Sequence, residues 1–173
     1  MTLPFEEPLT VRTLGPRVMP EPLRPGDQGG PPCRICTEHA ANPGIWSDDD
    51  WVLRTAGSTS LPGAVWLTPR AHHDSFADLP DRLGRAFGPL AGRIERAVLG
   101  LGDIARVHVY RYGDGGAHLH VWFVPRPLGM LEAQREMLML WEDQLAPASA
   151  AEIAEAGRRI GAALRAEDTV RAG

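Results

Sequence analysis

The chain of 173 residues is long enough for one domain with its own core, and its 43% hydrophobic and 23% charged content is that of a soluble globular protein. A net charge of −4 argues against wrapping a nucleic-acid backbone, and no run approaches the roughly 20 apolar residues of a membrane span. All 18 basic residues are arginines, which excludes a P-loop lysine and a Schiff-base lysine; a phosphate handled here meets arginine, histidine, backbone amide or metal.

Residues 1–32 hold half of the 16 prolines. The run PEPLRPGDQGGPP has no apolar periodicity and is expected to form an irregular, extended or mobile arm. No basic start leads into an apolar stretch, so no secretion signal is read, and with two cysteines the expected compartment is cytoplasmic. The domain proper is placed at 33–147, with a C-terminal helix and tail over 148–173.

The segment PPCRICTEH follows. Its C-x-x-C is open between a redox pair, half a metal site and two small buried hydrophobes. A redox pair wants a strand before it and a helix after it; here prolines precede and ANPG follows. A zinc site needs two more ligands, and histidines stand at 39, 72, 73, 108, 118 and 120. His72 follows a strand and is well placed to face a loop carrying Cys33 and Cys36.

WVLR at 51–54 and GAVWLTP at 63–69 predict strands joined by the turn STSLPG, with a short strand near Ile45 and Trp46. The acidic run Asp48–Asp50 reads as a solvated turn. Apolar residues at 83, 87, 90, 94, 97, 98 and 101 predict a helix stopped at Gly100 and Gly102, kinked or split at Pro89. IARVHVYRY (104–112) and AHLHVWFV (117–124) predict strands around a GDGG hairpin turn. Met130, Met137, Leu138, Trp141 and Leu145 mark an amphipathic helix, a helix–helix or dimer contact. Ser149 to Glu152 is a capping box for a last helix carrying Ile153, Ile160 and Leu164. The pattern is α+β: an antiparallel sheet of about five strands with helices packed on one side.

In a strand, His118, His120 and Trp122 share one face while Leu119, Val121 and Phe123 share the apolar, core-facing one. The histidine face is then a cleft, a second interface or plain surface. Gly115 and Gly116 just before it let backbone amides approach an anion. Arg70 and Arg126 stand where they can be phosphate partners or surface arginines, and His108 reads as a satisfied strand histidine.

Taken in order from Cys33 to about Pro127, these features resemble the histidine triad (HIT) superfamily, in particular its zinc-bearing branch related to galactose-1-phosphate uridylyltransferase. The resemblance rests on C-x-x-C, on LPGAVWLTPRAHHDSFADL and on HLHVWFVPR. It implies a structural zinc on Cys33, Cys36, His72 and His118, with His73 and His39 as second choices. It implies a nucleophile at His120, whose Nδ1–H is held by the His118 carbonyl, acting on a small-molecule nucleotide or phosphorylated substrate. The implied activity is hydrolysis or nucleotidyl transfer at a phosphoanhydride, phosphoester or phosphoramidate bond, in a homodimer. The other readings are a catalytically silent, zinc-stabilised nucleotide-binding module and a specialised transferase with a dedicated acceptor. Three positions depart from the pattern. Trp122 stands third in the triad, where it can donate a hydrogen bond or stack but cannot carry a proton. No acid lies between Arg54 and Gly63, where many members hold a ribose-binding aspartate. GDGGA replaces the usual GQ segment.

Overall fold

A computed structural model describes residues 4, 5 and 13–172. Its elements run α1 (Arg34–Ala41), β1 (Trp46–Ser47), β2 (Trp51–Thr55), β3 (Val65–Pro69), a 3-10 turn (Phe76–Asp78), α2 (Asp81–Leu99), β4 (Ile104–Tyr110), β5 (Val121–Pro127), α3 (Met137–Glu142) and α4 (Ala150–Ala172). The strands form one antiparallel sheet in the order β1-β2-β3-β5-β4, so β5 is an interior strand.

Alternation of side chains gives the sheet two different faces. Leu53, Val65, Leu67, Val121 and Phe123 meet Leu83, Leu90, Ile94 and Val98 of α2 and Ile160 and Leu164 of α4 in one buried cluster. Ala97 is buried in the same cluster, and Phe87 and Leu101, the last just beyond α2, pack against it half-buried. Pro89 does not split α2, which runs unbroken for 19 residues. It sits on the solvent side, where water can satisfy the carbonyl that its missing N–H leaves free.

The last helix belongs to this core. Ile160 and Leu164 are fully buried. Gly161 lets α4 lie on the chain before β1: a Cβ there would stand 2.3 Å from the Ile45 carbonyl oxygen. Arg93, buried on α2, donates to Glu167 and to the Leu164 carbonyl, and Trp46 Nε1 donates to Asp168 at 2.7 Å. The predicted capping box is formed, with Ser149 Oγ and N both donating to Glu152 and Glu152 N donating back to Ser149 Oγ. Leu164→Ala is therefore expected to cost about 2–5 kcal/mol in urea denaturation, the price of a cavity in a shared core; a loss below ~1 kcal/mol would show that the helix is an appendage.

Three local expectations are corrected. The segment 130–145 is not one helix: α3 is six residues long and is preceded by turns. It lies over the other sheet face, where Leu138 and Leu61 cover Val124 and Trp122. The hairpin turn is wider than GDGG, because β4 ends at Tyr110 and β5 starts only at Val121. The arm is irregular over its described residues, but its last part is tied down. Arg24 pairs with Asp27 and Asp74 and donates to the Gly113 carbonyl, and the Pro25 carbonyl accepts from Ala117 N at 2.9 Å. Residues 1–3 and 6–12 of the arm lie outside the described residues.

Candidate metal centre and histidine cleft

The ten residues between β4 and β5 leave the sheet ladder, and this places the histidines. Leu119 N donates to the His73 carbonyl at 2.5 Å, and Ala117 N donates to Pro25. The segment carrying His118 and His120 is thus held through Ala117 and Leu119 by the arm and the loop after β3, not by β4. Leu119 still points into the core and is fully buried, so His118 and His120 keep the opposite face.

Cys33 caps the N-terminus of α1, its sulfur accepting from Cys36 N at 3.5 Å, which turns both thiols to one side. Opposite them stand His72 and His118. One ligand atom from each of Cys33, Cys36, His72 and His118 lies within 4.8 Å of the other three. His118 Nδ1 is 3.3 Å from Cys33 Sγ and 3.4 Å from Cys36 Sγ, and His72 Nδ1 is 3.3 Å from Cys36 Sγ. Bonds of about 2.0–2.3 Å to a tetrahedral zinc set its ligands roughly 3.3–3.8 Å apart, so the donor set and these three sulfur–nitrogen distances fit that ion. His118 is 1% exposed. Burial pushes its pKa down to about 4, so the ring is neutral at pH 7. Its Nε2–H donates to the Pro69 carbonyl at 3.0 Å, which leaves the Nδ1 lone pair facing the sulfurs. Burial first, and the Cys33 sulfur second, push the Cys36 thiol up to about 11. That is the reverse of what a redox-active C-x-x-C needs. It is the condition a bound cation would reverse.

The second-choice ligands are otherwise engaged. His39 Nε2 donates to the Pro69 carbonyl at 3.1 Å while its Nδ1 accepts from Arg54 at 3.0 Å, so neither nitrogen is free. Burial, then the Arg54 charge, holds its pKa below the ordinary imidazole value. His73 contributes its carbonyl, not its ring, to the Leu119 contact. Gly26, at φ +98°, packs directly under the cluster; a Cβ there would lie 3.0 Å from His72 Cε1 and 3.0 Å from the Ala117 oxygen.

His120 stands beside the cluster and is not part of it. Its Nδ1 is 2.8 Å from the His118 carbonyl and donates to it, so Nε2 carries the free lone pair. A cavity of about 460 Å³ opens here, lined by His118, His120 and Trp122, by Gly115 and Gly116, and by Arg34 and Glu38 of α1. The structure does not bring Arg126 to this site. It lies six residues along β5, roughly 20 Å away. Its buried guanidinium donates to the Met130 and Pro127 carbonyls. Arg70 donates to the Asp48 carbonyl and does not line the cavity either. The arginine that does is Arg34, inside the C-x-x-C itself. His108 contacts the Tyr110 hydroxyl, and Asp48 caps its own turn through Asp50 N and Trp51 N, as a strand histidine and a solvated turn should.

Trp122 belongs to a cross-strand row. The register pairs Arg54 with Trp66, Trp66 with Trp122, and Trp122 with Tyr110. Arg54 lies 5.4 Å from the Trp66 ring centroid, and Trp66 stacks on Trp122 at 5.9 Å and 29°. Aromatic pairs of this geometry add about 0.5–1.5 kcal/mol beyond burial. The indole at the third triad position therefore packs sideways against a second indole. Its own N–H has no acceptor among the described residues.

No protein-family model matches the chain, and no curated protein matches it in sequence. Solved structures do match in shape. A zinc-bound histidine triad family protein from Mycobacterium smegmatis superposes with a TM-score of 0.58 at 19% identity, covering 79% of this chain and 94% of that one. A HIT-like protein from Bartonella henselae gives 0.58 at 16%, over 76% and 93%. A histidine triad protein from Bradyrhizobium japonicum gives 0.58 at 17%, over 68% and 86%. By its sheet order and these superpositions, the chain has the fold of the histidine triad superfamily.

Proposed function

We propose that this protein is a zinc-stabilised enzyme that cleaves or transfers at a phosphorus centre of a nucleotide-like substrate through His120. The observation that carries the reading is the 2.8 Å contact from His120 Nδ1 to the His118 carbonyl, which leaves Nε2 as a nucleophile facing the glycine-lined cavity. Nε2 attacks phosphorus, the P–O or P–N bond to the leaving group breaks, and water or another acceptor then displaces the histidine. Arg34 and the amides of Gly115 and Gly116 are the donors available to the phosphate oxygens. Glu38 is the carboxylate available to substrate hydroxyls. Cys33, Cys36, His72 and His118 would hold the zinc, which supplies a structural cross-link between α1, the loop after β3 and the histidine segment. Turnover of a panel of nucleotide anhydrides, esters and amidates, with product identification in the presence and absence of acceptors, tests the reading and separates hydrolase from transferase. No turnover on any of them, with binding retained, would favour the silent nucleotide-binding module.

Trp122 shapes the choice of leaving group. An indole has no proton to give to a departing amine or alkoxide. Groups that leave as stabilised anions, as from a phosphoanhydride, suit this site better than alkylamines. Trp122→His is therefore expected to raise kcat/KM on an alkyl phosphoramidate relative to an anhydride by about 10²-fold, the usual yield of a positioned general acid. An unchanged ratio in a folded variant would remove this role.

We also propose a two-fold dimer. β4 is an edge strand, and exposed Val109 lies on it, so its free backbone edge is open to a second copy. Light scattering at micromolar concentration is expected to give twice the 18.8 kDa chain mass; a monomer would contradict it.

A further inference from the structure

A second cavity meets the histidine cleft at Trp122. It has a volume of about 280 Å³ and is walled by Tyr110, Tyr112, Trp122 and Met139, with Thr59 and Glu142 at its rim. Tyr110 and Tyr112 stack with centroids 5.8 Å apart and 12° between planes, and Tyr112 is 48% exposed. Three aromatic rings thus border one space. No arginine or histidine lines it, and its one formal charge is the Glu142 carboxylate. Glu142 Oε1 accepts from Thr59 Oγ1 at 2.8 Å and from Ser60 N at 3.0 Å, while Oε2 has no hydrogen-bond partner among the described residues. None of these side chains has a part in the phosphorus chemistry above except Trp122, which is the wall common to both cavities.

The lining decides the ligand chemistry. An anion would meet Glu142 with no cationic side chain in the lining to offset the repulsion. A neutral apolar group would fill the space and leave the carboxylate desolvated beside it. A metal ion would find too few oxygens. A positively charged nitrogen with alkyl substituents satisfies both halves: the ring faces attract the cation, and the carboxylate answers its charge. We infer that this cavity binds an organic ammonium group. Its source is either the half of the substrate that departs from or accepts the phosphoryl group, or a separate small cation. Only the first source rests on the activity proposed for His120; the binding site itself does not.

The test uses the full chain and two probes of one shape: choline, and its uncharged isostere 3,3-dimethylbutan-1-ol. Calorimetry or NMR titration is expected to show choline bound at least about tenfold more tightly. Tyr112→Leu and Glu142→Gln are each expected to weaken choline binding several-fold, with His120→Ala unchanged. Glu142 also holds Thr59 and Ser60, so the exposed Tyr112→Leu keeps the test independent of folding. If a choline-bearing phosphoanhydride competes with both choline and AMP, the cation belongs to the substrate. If choline binds and that compound competes only with AMP, the cation is a separate ligand; both results support the site. Equal affinity for the two isosteres, or choline binding indifferent to Tyr112→Leu, would overturn it.

Discussion

His120→Ala is expected to lower turnover on the true substrate by about 10³-fold or more, leaving fold and metal content unchanged. The size follows from removing the attacking atom, for which no other imidazole can substitute. His118 has its Nε2–H committed to the Pro69 carbonyl and its Nδ1 turned to the thiols. His39 is bonded at both nitrogens. Metal content should be untouched because the four-residue cluster does not include His120. Steady-state rates together with metal analysis check both halves. A variant that keeps full activity, or one that loses its zinc, would contradict the assignment of roles.

Cys36→Ala is expected to destabilise the protein by several kcal/mol, a fall in Tm of about 10 °C or more for a chain of this length. The preparation should contain about one zinc per chain before the substitution and none after it. The cluster ties together three segments that are otherwise joined by a few hydrogen bonds around Pro69 and His73: the start of α1, the loop after β3 and the segment before β5. The apo state must also keep His118 buried with its Nδ1 facing the two sulfurs. Zinc bound to the folded chain alone contributes its binding free energy to stability, so chelation should reproduce the effect of the substitution. A metal-free protein of unchanged Tm would remove the zinc reading and leave two structural cysteines.

Where side-chain periodicity is the cause of structure, it could be read from the chain. The stripe 83, 87, 90, 94, 97, 98 and 101 becomes the buried side of α2 because α2 covers one apolar sheet face. The alternation in HLHVWF survives as face assignment although the ladder starts only at Val121, since Leu119 must still reach the core. What could not be read depends on neighbours distant in sequence. α1 has no strong capping residue; Cys33 does that work, and the only signal is the nine residues without a breaker between Pro32 and Asn42-Pro43-Gly44. Arg126 looked like a phosphate partner because HLHVWFVPR places it after the histidines, but strand rise carries it out of reach. Arg34 reaches the cavity only because α1 forms, and no capping signal in the sequence announces that helix. Arg54 and Trp66 reach Trp122 only through strand register, which a single sequence does not specify for β3 and β5. The tie from Arg24 to Asp74 spans 50 residues, and nothing in a proline-rich run announces it.

The proposed chemistry passes through a covalent intermediate on His120. Mass spectrometry of the intact protein, quenched in alkali within seconds of mixing with nucleotide anhydrides, detects it. An added nucleotidyl or phosphoryl mass is expected that is acid-labile, maps to the peptide carrying His120, and is absent in His120→Ala. Turnover with no adduct at any quench time, or an adduct that persists in His120→Ala, would contradict it.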